Sequence, residues 1–446
     1  MVTLLPHIGT LERNRNEAIA LPPNQLKRHC WVGGKSGTGK STLLRNMMVA
    51  NLYSGDALTL LDPHGSLYDD VLSAIPRCRT NDVILIDPAH HDGVVGFNIL
   101  ESVDPGKRHL VVSSVVKIFS TLWRDSWGAR SDWLLRNCLY ALLEQPEPAT
   151  LAALPKLLTH KQFRADVVSH VTDPAIRMFF ESFERQNERF RDEVITPLLN
   201  KVSIFIENPL LRAVTGQPRS TFDWRWAMDH SKCILANLSK GALGSDVSSL
   251  LGSLIVSKLA LTSLSREDIP EADRKLHILY ADEVQNFTHG VDFPLILSES
   301  RKYGLALVIA SQTLSQLSED SVAAIFGNAG TIITFRVSGD DAKALVREFA
   351  VSGEGPKTSE ETFDVIIPAS RLQDLPDYKA YVRRLLNGAP HEPELVSTFP
   401  PFPNGWITRN LGRIADPRRV ERMSLGRFGR ERAKVEAELR RFLEAP

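Results

Sequence analysis

The tract GKSGTGKS at 34–41 fits the pattern GxxxxGK[ST]; it follows an apolar run, HCWV (29–32), and precedes a helix-like LLRNMMVANL run. Glycines at 34, 37 and 39 would let backbone N–H groups converge on phosphate oxygens in conformations a Cβ would block. They would do so at a helix N-terminus, whose dipole favours an anion. The chemistry is a phosphate cradle made of Gly34, Lys35, Ser36, Gly37, Thr38, Gly39, Lys40, Ser41 and Thr42. In it Lys40 would reach β- and γ-phosphate oxygens and the Ser41 hydroxyl would join a Mg²⁺ shell, as ATP chemistry requires.

A cradle alone hydrolyses nothing, so a metal-holding carboxylate and a water-activating one must stand nearby. LHILYADE (276–283) supplies both: Asp282 as the Mg²⁺ residue and Glu283 as the group that polarises the attacking water. An Asp-Glu pair at a strand end is in isolation a solvated turn; behind a buried strand, in a chain that carries the cradle, it reads as catalytic. The next strand-like run, LALVIASQ, ends in Gln312, whose amide could donate to phosphate and accept from water. Arg301 and Arg336 are the candidates for countering charge on a transferred phosphoryl group; otherwise they are a helix C-terminal and a sheet-edge charge.

These residues need a sheet to hold them. Nearly continuous apolar runs at 29–32, 57–62, 82–87, 232–238, 276–282, 305–311 and 331–337 alternate with helical patterns, which predicts an α/β fold with a buried parallel sheet. Between 87 and 232 the alternation stops and the pattern turns helical, with Val112, Val115, Phe119 and Leu122 at helical spacing. The predicted organisation is a first part of the sheet domain at 1–100, an all-helical insert at 101–225, a second part of the sheet domain at 226–395, and a Pro-rich linker and basic helical tail at 396–446. A β-like stretch after Asp364 and YKAYVRRLL (378–386) should finish the sheet. In the tail, Val435, Leu439 and Phe442 share one face that would pack on a neighbour, unless the helix is simply solvated.

Length and charge set the outer bounds. At 446 residues the chain is too long for one minimal domain, and its 43% hydrophobic content suits a globular protein with a sizeable core. Lys and Arg total 53, as do Asp and Glu, so a chain that grips a polyanion through bulk charge is excluded and any such contact must be a local patch. Charge is nevertheless uneven: residues 409–446 carry 11 basic and 6 acidic side chains. Four scattered cysteines show no metal spacing and no disulfide framework. The most apolar tract, from Leu250, is broken by Lys258, so no membrane span is expected.

Taken in order, GKSGTGKSTLL, LLDPHGSL (60–67), IDPAHHDGVVGFNIL (86–100), the helical stretch with DSWGAR (125–130), LYADEVQNF (279–287), LSESRKYGLALVIASQ (297–312) and GNAGTIITFRVSGDDA (327–342) resemble the HerA/FtsK superfamily of ring-forming DNA-pumping ATPases. The resemblance is greatest to its TraD/TraG-type coupling proteins of type IV secretion, and covers about residues 25–390. It implies a RecA-like P-loop NTPase sheet with an inserted all-helical subdomain and a helical tail, assembled as a homohexamer around DNA and driven by ATP with Mg²⁺. It places Lys40 and Ser41 on phosphate and Mg²⁺, Asp282 and Glu283 in the Asp-Glu motif, and Gln312 as sensor. Sites at subunit interfaces would let Arg301 or Arg336 act on a neighbour's nucleotide.

Such coupling proteins usually begin with a membrane anchor and HerA with a β-barrel, whereas here the cradle starts about thirty residues from Met1. The expectation is therefore a cytoplasmic motor without membrane insertion, with an effector nuclease or a secretion or relaxase protein as partner. A ring that scaffolds such an effector, or that recruits protein substrates, is the alternative. Lys240 and Lys302 are candidate pore contacts or plain surface charges, and no adenine-reading residue is identifiable.

Overall fold

A computed structural model describes residues 6–101, 104–349, 367–386, 388–401 and 413–445. In chain order the strands are β1 (His7–Leu11), β2 (Ala18–Ala20), β3 (Cys30–Gly33), β4 (Ala57–Asp62), β5 (Val83–Ile86), β6 (Gly93–Val95) and β7 (Cys233–Asn237). There follow β8 (His277–Ala281), β9 (Leu305–Ser311), β10 (Thr331–Thr334), β11 (Lys379–Leu386), β12 (Ala389–Pro390), β13 (Glu394–Thr398) and β14 (Gly429–Glu431).

Twelve of them form one sheet in the order β2-β1-β13-β11-β10-β3-β9-β8-β4-β7-β5, with β12 paired to β11. From β10 to β5 every pairing is parallel. The strands there are apolar throughout because both faces are covered: along β4, Leu61 enters one core while Leu58 and Leu60 enter the other. On one face lies helix Lys40–Ser54, through Leu43, Leu44, Met47 and Met48. On the opposite face lie helix Ser245–Leu264 and the helices between 108 and 229. Helix Ser245–Leu264 carries the tract long and apolar enough to cross a membrane, but most of it is buried in this core.

Beyond β10 the sheet turns antiparallel, through β11, β13, β1 and β2. Two of these departures were not expected. The first 28 residues contribute two strands, and the Pro-rich stretch read as a separator contributes β13, whose five residues lie between β11 and β1. Proline flanks such a strand without disrupting it, because Pro393 precedes the paired residues and Pro400 follows them. The β-like stretch expected just after Asp364 lies outside the described residues until Ile367.

The tail folds back on the chain. Helix Pro417–Phe428 covers the edge strand β5, where Ser424 Oγ accepts the Leu85 N–H at 2.9 Å. β14 then pairs with β6, and helix Arg432–Glu444 lays Val435 and Leu439 into the core shared with the inserted helices. The neighbour expected for its apolar stripe is thus the chain's own helical insert.

Candidate active site

The candidate site residues other than Arg301 gather at the C-terminal edge of the parallel strands, where ligands bind in wound α/β sheets. β3 runs straight into the cradle, and helix Lys40–Ser54 carries the chain from there past β9 and β8 to β4. The cradle's turn depends on glycine at two positions above all. Gly37 (φ 77°) has open space around its Cβ direction, so its requirement is conformational. Gly39 (φ 118°) needs both the conformation and the room: a Cβ there would come 3.0 Å from Tyr378 Cδ1 and 3.1 Å from Phe335 Cε1.

Lys40, largely buried, donates from Nζ to the carbonyls of Gly34 (2.5 Å) and Lys35 (3.1 Å). Burial lowers its pKa, partly offset by the charges of Asp282 and Glu283. Ser41 Oγ donates to Asp282 Oδ2 at 3.1 Å, joining residues 241 positions apart. Asp282 is 4% exposed. Burial first, and then the neighbouring Asp62, raise its pKa, while the Ser41 hydrogen bond and Lys40 lower it. A hydroxyl beside a partly desolvated carboxylate is the hard-oxygen donor set that suits Mg²⁺, and the glycine-lined turn with Lys40 suits a polyphosphate.

Glu283 adopts the left-handed conformation (φ 50°, ψ 54°), which is rare for a residue with a side chain. Its N–H donates to Asp282 Oδ1 at 3.0 Å, its carbonyl accepts from Asn286 Nδ2 at 2.9 Å, and its Oε2 accepts from Gln285 Nε2 at 2.7 Å. Lys240 Nζ donates to Asn286 Oδ1 at 2.6 Å, so this lysine braces the loop of the Asp-Glu pair. Gln312 follows β9, the strand between β3 and β8, and is half-buried between the cradle and the Asp-Glu pair. One residue earlier, Ser311 Oγ accepts from Trp31 Nε1 at 3.0 Å, locking β9 against the cradle strand.

The two arginines part company. Arg336 stands beside the cradle: its carbonyl accepts the Lys35 N–H at 2.8 Å, and its guanidinium is held by Asp377 Oδ1 (2.8 Å) and the Leu375 carbonyl (3.1 Å). Arg301 and Lys302 are exposed and precede β9, at the opposite edge of the sheet, so the fold does not bring them to this chain's own site.

Asp62 is the site-edge residue that received no role from the sequence. It ends β4, fully buried, and its two oxygens accept the N–H groups of His64 (2.9 Å) and Tyr68 (2.8 Å). The signal was present in LLDPHGSL, but only the pairing of β4 with β8 shows that this carboxylate adjoins Asp282.

The sequence matches, over residues 15–354, the family described as the type IV secretion-system coupling protein DNA-binding domain. No curated protein sequence matches it. Among solved structures, the fold is similar to that of the bacterial conjugative coupling protein TrwBdeltaN70 in an unbound form, with TM-score 0.62, 18% identity, and 90% of this chain and 88% of that chain covered. The plasmid coupling protein TrwB in complex with ADP and Mg²⁺ aligns with TM-score 0.62 at 20% identity, covering 90% of each chain. VirB4 of Thermoanaerobacter pseudethanolicus aligns with TM-score 0.58 at 14% identity, covering 88% of this chain and 96% of that one. Since the family match spans most of its length, the chain belongs to the type IV secretion-system coupling protein DNA-binding domain family.

Proposed function

We propose that the chain is an ATPase that uses ATP with Mg²⁺ to move DNA, as a HerA/FtsK-type translocase working in a homohexameric ring. The observation that carries this reading is the Ser41–Asp282 hydrogen bond with Glu283 beside it, which draws together the phosphate, metal and water chemistry of one site. The relatives support it: TrwB has been captured with ADP and Mg²⁺ and with non-hydrolysable ATP and GTP analogues.

The residues divide the work. Backbone N–H groups of the cradle and the Lys40 ammonium bind the phosphates and orient the γ-group. Ser41 and Asp282 would hold Mg²⁺, which would supply positive charge to offset that of the phosphates. Glu283, oriented by Gln285, accepts a proton from the attacking water, and Gln312 registers the γ-phosphate from the neighbouring strand. Arg336 would have to leave Asp377 to reach the nucleotide. Arg301, at the far edge, could act only on a neighbouring subunit's nucleotide.

DNA contact in such a motor is a backbone contact, salt-sensitive and poorly sequence-selective. The family's description as a DNA-binding domain supports DNA as the polymer moved. ATPase rates with and without DNA, paired with triplex displacement, test the reading: strong stimulation and strand displacement are expected. A flat ATPase rate with nucleotide-dependent oligomerisation and no displacement would favour a ring that scaffolds a partner effector.

A further inference from the structure

Tyr378 touches the cradle and has no part in the chemistry above. It immediately precedes β11 and adopts φ 62°, a left-handed conformation that costs a bulky aromatic residue far more than glycine or asparagine. The backbone is clamped there. Its N–H donates to the Thr38 carbonyl at 2.8 Å, and its own carbonyl accepts both the N–H (2.8 Å) and the Oγ1 (2.9 Å) of Thr398. The ring edge lies against the N-terminus of helix Lys40–Ser54, where a Cβ on Gly39 would meet Tyr378 Cδ1 at 3.0 Å. Yet the residue is 50% exposed, so core packing does not account for an aromatic side chain in so costly a conformation.

The surroundings frame the same side of the cradle. From helix Lys40–Ser54, Asn46 Nδ2 donates to the carbonyls of Phe399 (3.2 Å) and Pro400 (3.1 Å), tying the segment after β13 to the helix that bears Lys40 and Ser41. The nearby guanidinium of Arg336 is engaged by Asp377 and Leu375, while the ring of Tyr378 is half exposed beside the cradle. An aromatic face attracts a nucleobase by its π-face, which every base has, whereas discrimination between bases needs edge hydrogen bonds.

We infer that Tyr378 is the platform on which the base of the bound nucleotide stacks, held by its face, so that adenine and guanine are accepted about equally. This rests on the nucleotide-binding reading of the cradle. TrwB has been captured with both an ATP and a GTP analogue.

Calorimetric titration of the full chain with ADP, GDP and inorganic tripolyphosphate tests it, using Tyr378→Asn, which tolerates the left-handed conformation but lacks a ring, and Tyr378→Trp, which restores one. Tyr378→Asn should weaken ADP and GDP alike by about tenfold, equivalent to about 1.4 kcal/mol, leave tripolyphosphate binding unchanged, and be rescued by Tyr378→Trp. Unchanged ADP affinity in Tyr378→Asn would overturn the inference, as would a matching loss of tripolyphosphate affinity, which would make Tyr378 a support for the loop. A wild-type chain that binds neither ADP nor tripolyphosphate would overturn the cradle reading itself, a failure distinct from the other two.

Discussion

Lys40 and Asp282 are held in tension by burial. The ammonium is disfavoured by desolvation and so is the Asp282 carboxylate; each is relieved in part by the other. In the proposed function both would meet charges that arrive with the nucleotide and its Mg²⁺. Removing the cation should therefore end binding, whereas neutralising Glu283, the proposed water-activating group, should spare it. Lys40→Ala is expected to abolish nucleotide binding in a fluorescent-nucleotide titration. Glu283→Gln should bind ATP normally, yet its steady-state turnover should fall by about 10²- to 10⁴-fold; normal turnover would reject Glu283 as the base. These residues were legible because their signals are local: glycine spacing, a Lys-Ser pair, two carboxylates ending an apolar run. Asp62 and Tyr378 were not, since each reaches the site only through strands distant in sequence, and a lone tyrosine before a strand carries no signal.

Among the elements, the C-terminal helix shows how a surface reading can miss its partner. Arg432–Glu444 is pinned at its start by Arg432, which donates to the carbonyls of Pro88 (2.5 Å) and His90 (3.0 Å). At its end the buried Lys156 Nζ donates to the carbonyls of Phe442 (2.9 Å) and Ala445 (2.7 Å), where a cation also complements the helix dipole. Between them Leu439 packs so tightly that a Cβ on Gly216 would meet its Cδ2 at 2.6 Å. Leu439→Ala should destabilise the protein by about 2–5 kcal/mol, measured by urea denaturation, and expose the helix to limited proteolysis. The apolar stripe at Val435, Leu439 and Phe442 was readable as a helical face. That it seals against the insert was not, because periodicity states which face is buried and never against what. The strand at Glu394–Thr398 was missed for a related reason: five residues flanked by prolines look like a linker until two other strands pair with them.

For the molecule as a whole, two buried histidines couple the sheet to pH. His29 leads into β3 in a left-handed conformation, and its Nδ1 accepts the Leu307 N–H at 3.0 Å; burial, reinforced by Arg301, holds its pKa down to about 4. His277 opens β8, with Nε2 2.8 Å from Thr59 Oγ1; burial, reinforced by Arg266, holds its pKa down to about 3. With folded values below the ordinary value near 6.5, the unfolded chain takes up protons first as pH falls, so stability is fully present above about pH 6.5 and is lost below it. By pH 5 each histidine should withdraw about 2 kcal/mol, seen as a lower urea midpoint than at pH 7. His29→Asn, which suits the conformation and keeps an acceptor, should remove about half of that loss.

The net charge of zero also changes meaning at this scale. The basic tail is folded onto the chain and spends charge in pairs such as Arg430–Glu438 and Arg432–Glu436.

The order of apolar runs and the spacing of the glycine-rich turn were enough to establish a wound α/β sheet, its cradle and its Asp-Glu pair, because each is written in contiguous residues whose backbone conformation is a local matter. Which strands are neighbours is a long-range matter settled by burial. Placing β9 between β3 and β8 brings Ser41 to Asp282 and sets Gln312 between cradle and carboxylates. The same strand directions leave Arg301 at the opposite edge, and the antiparallel extension returns Tyr378 to the turn at Gly39.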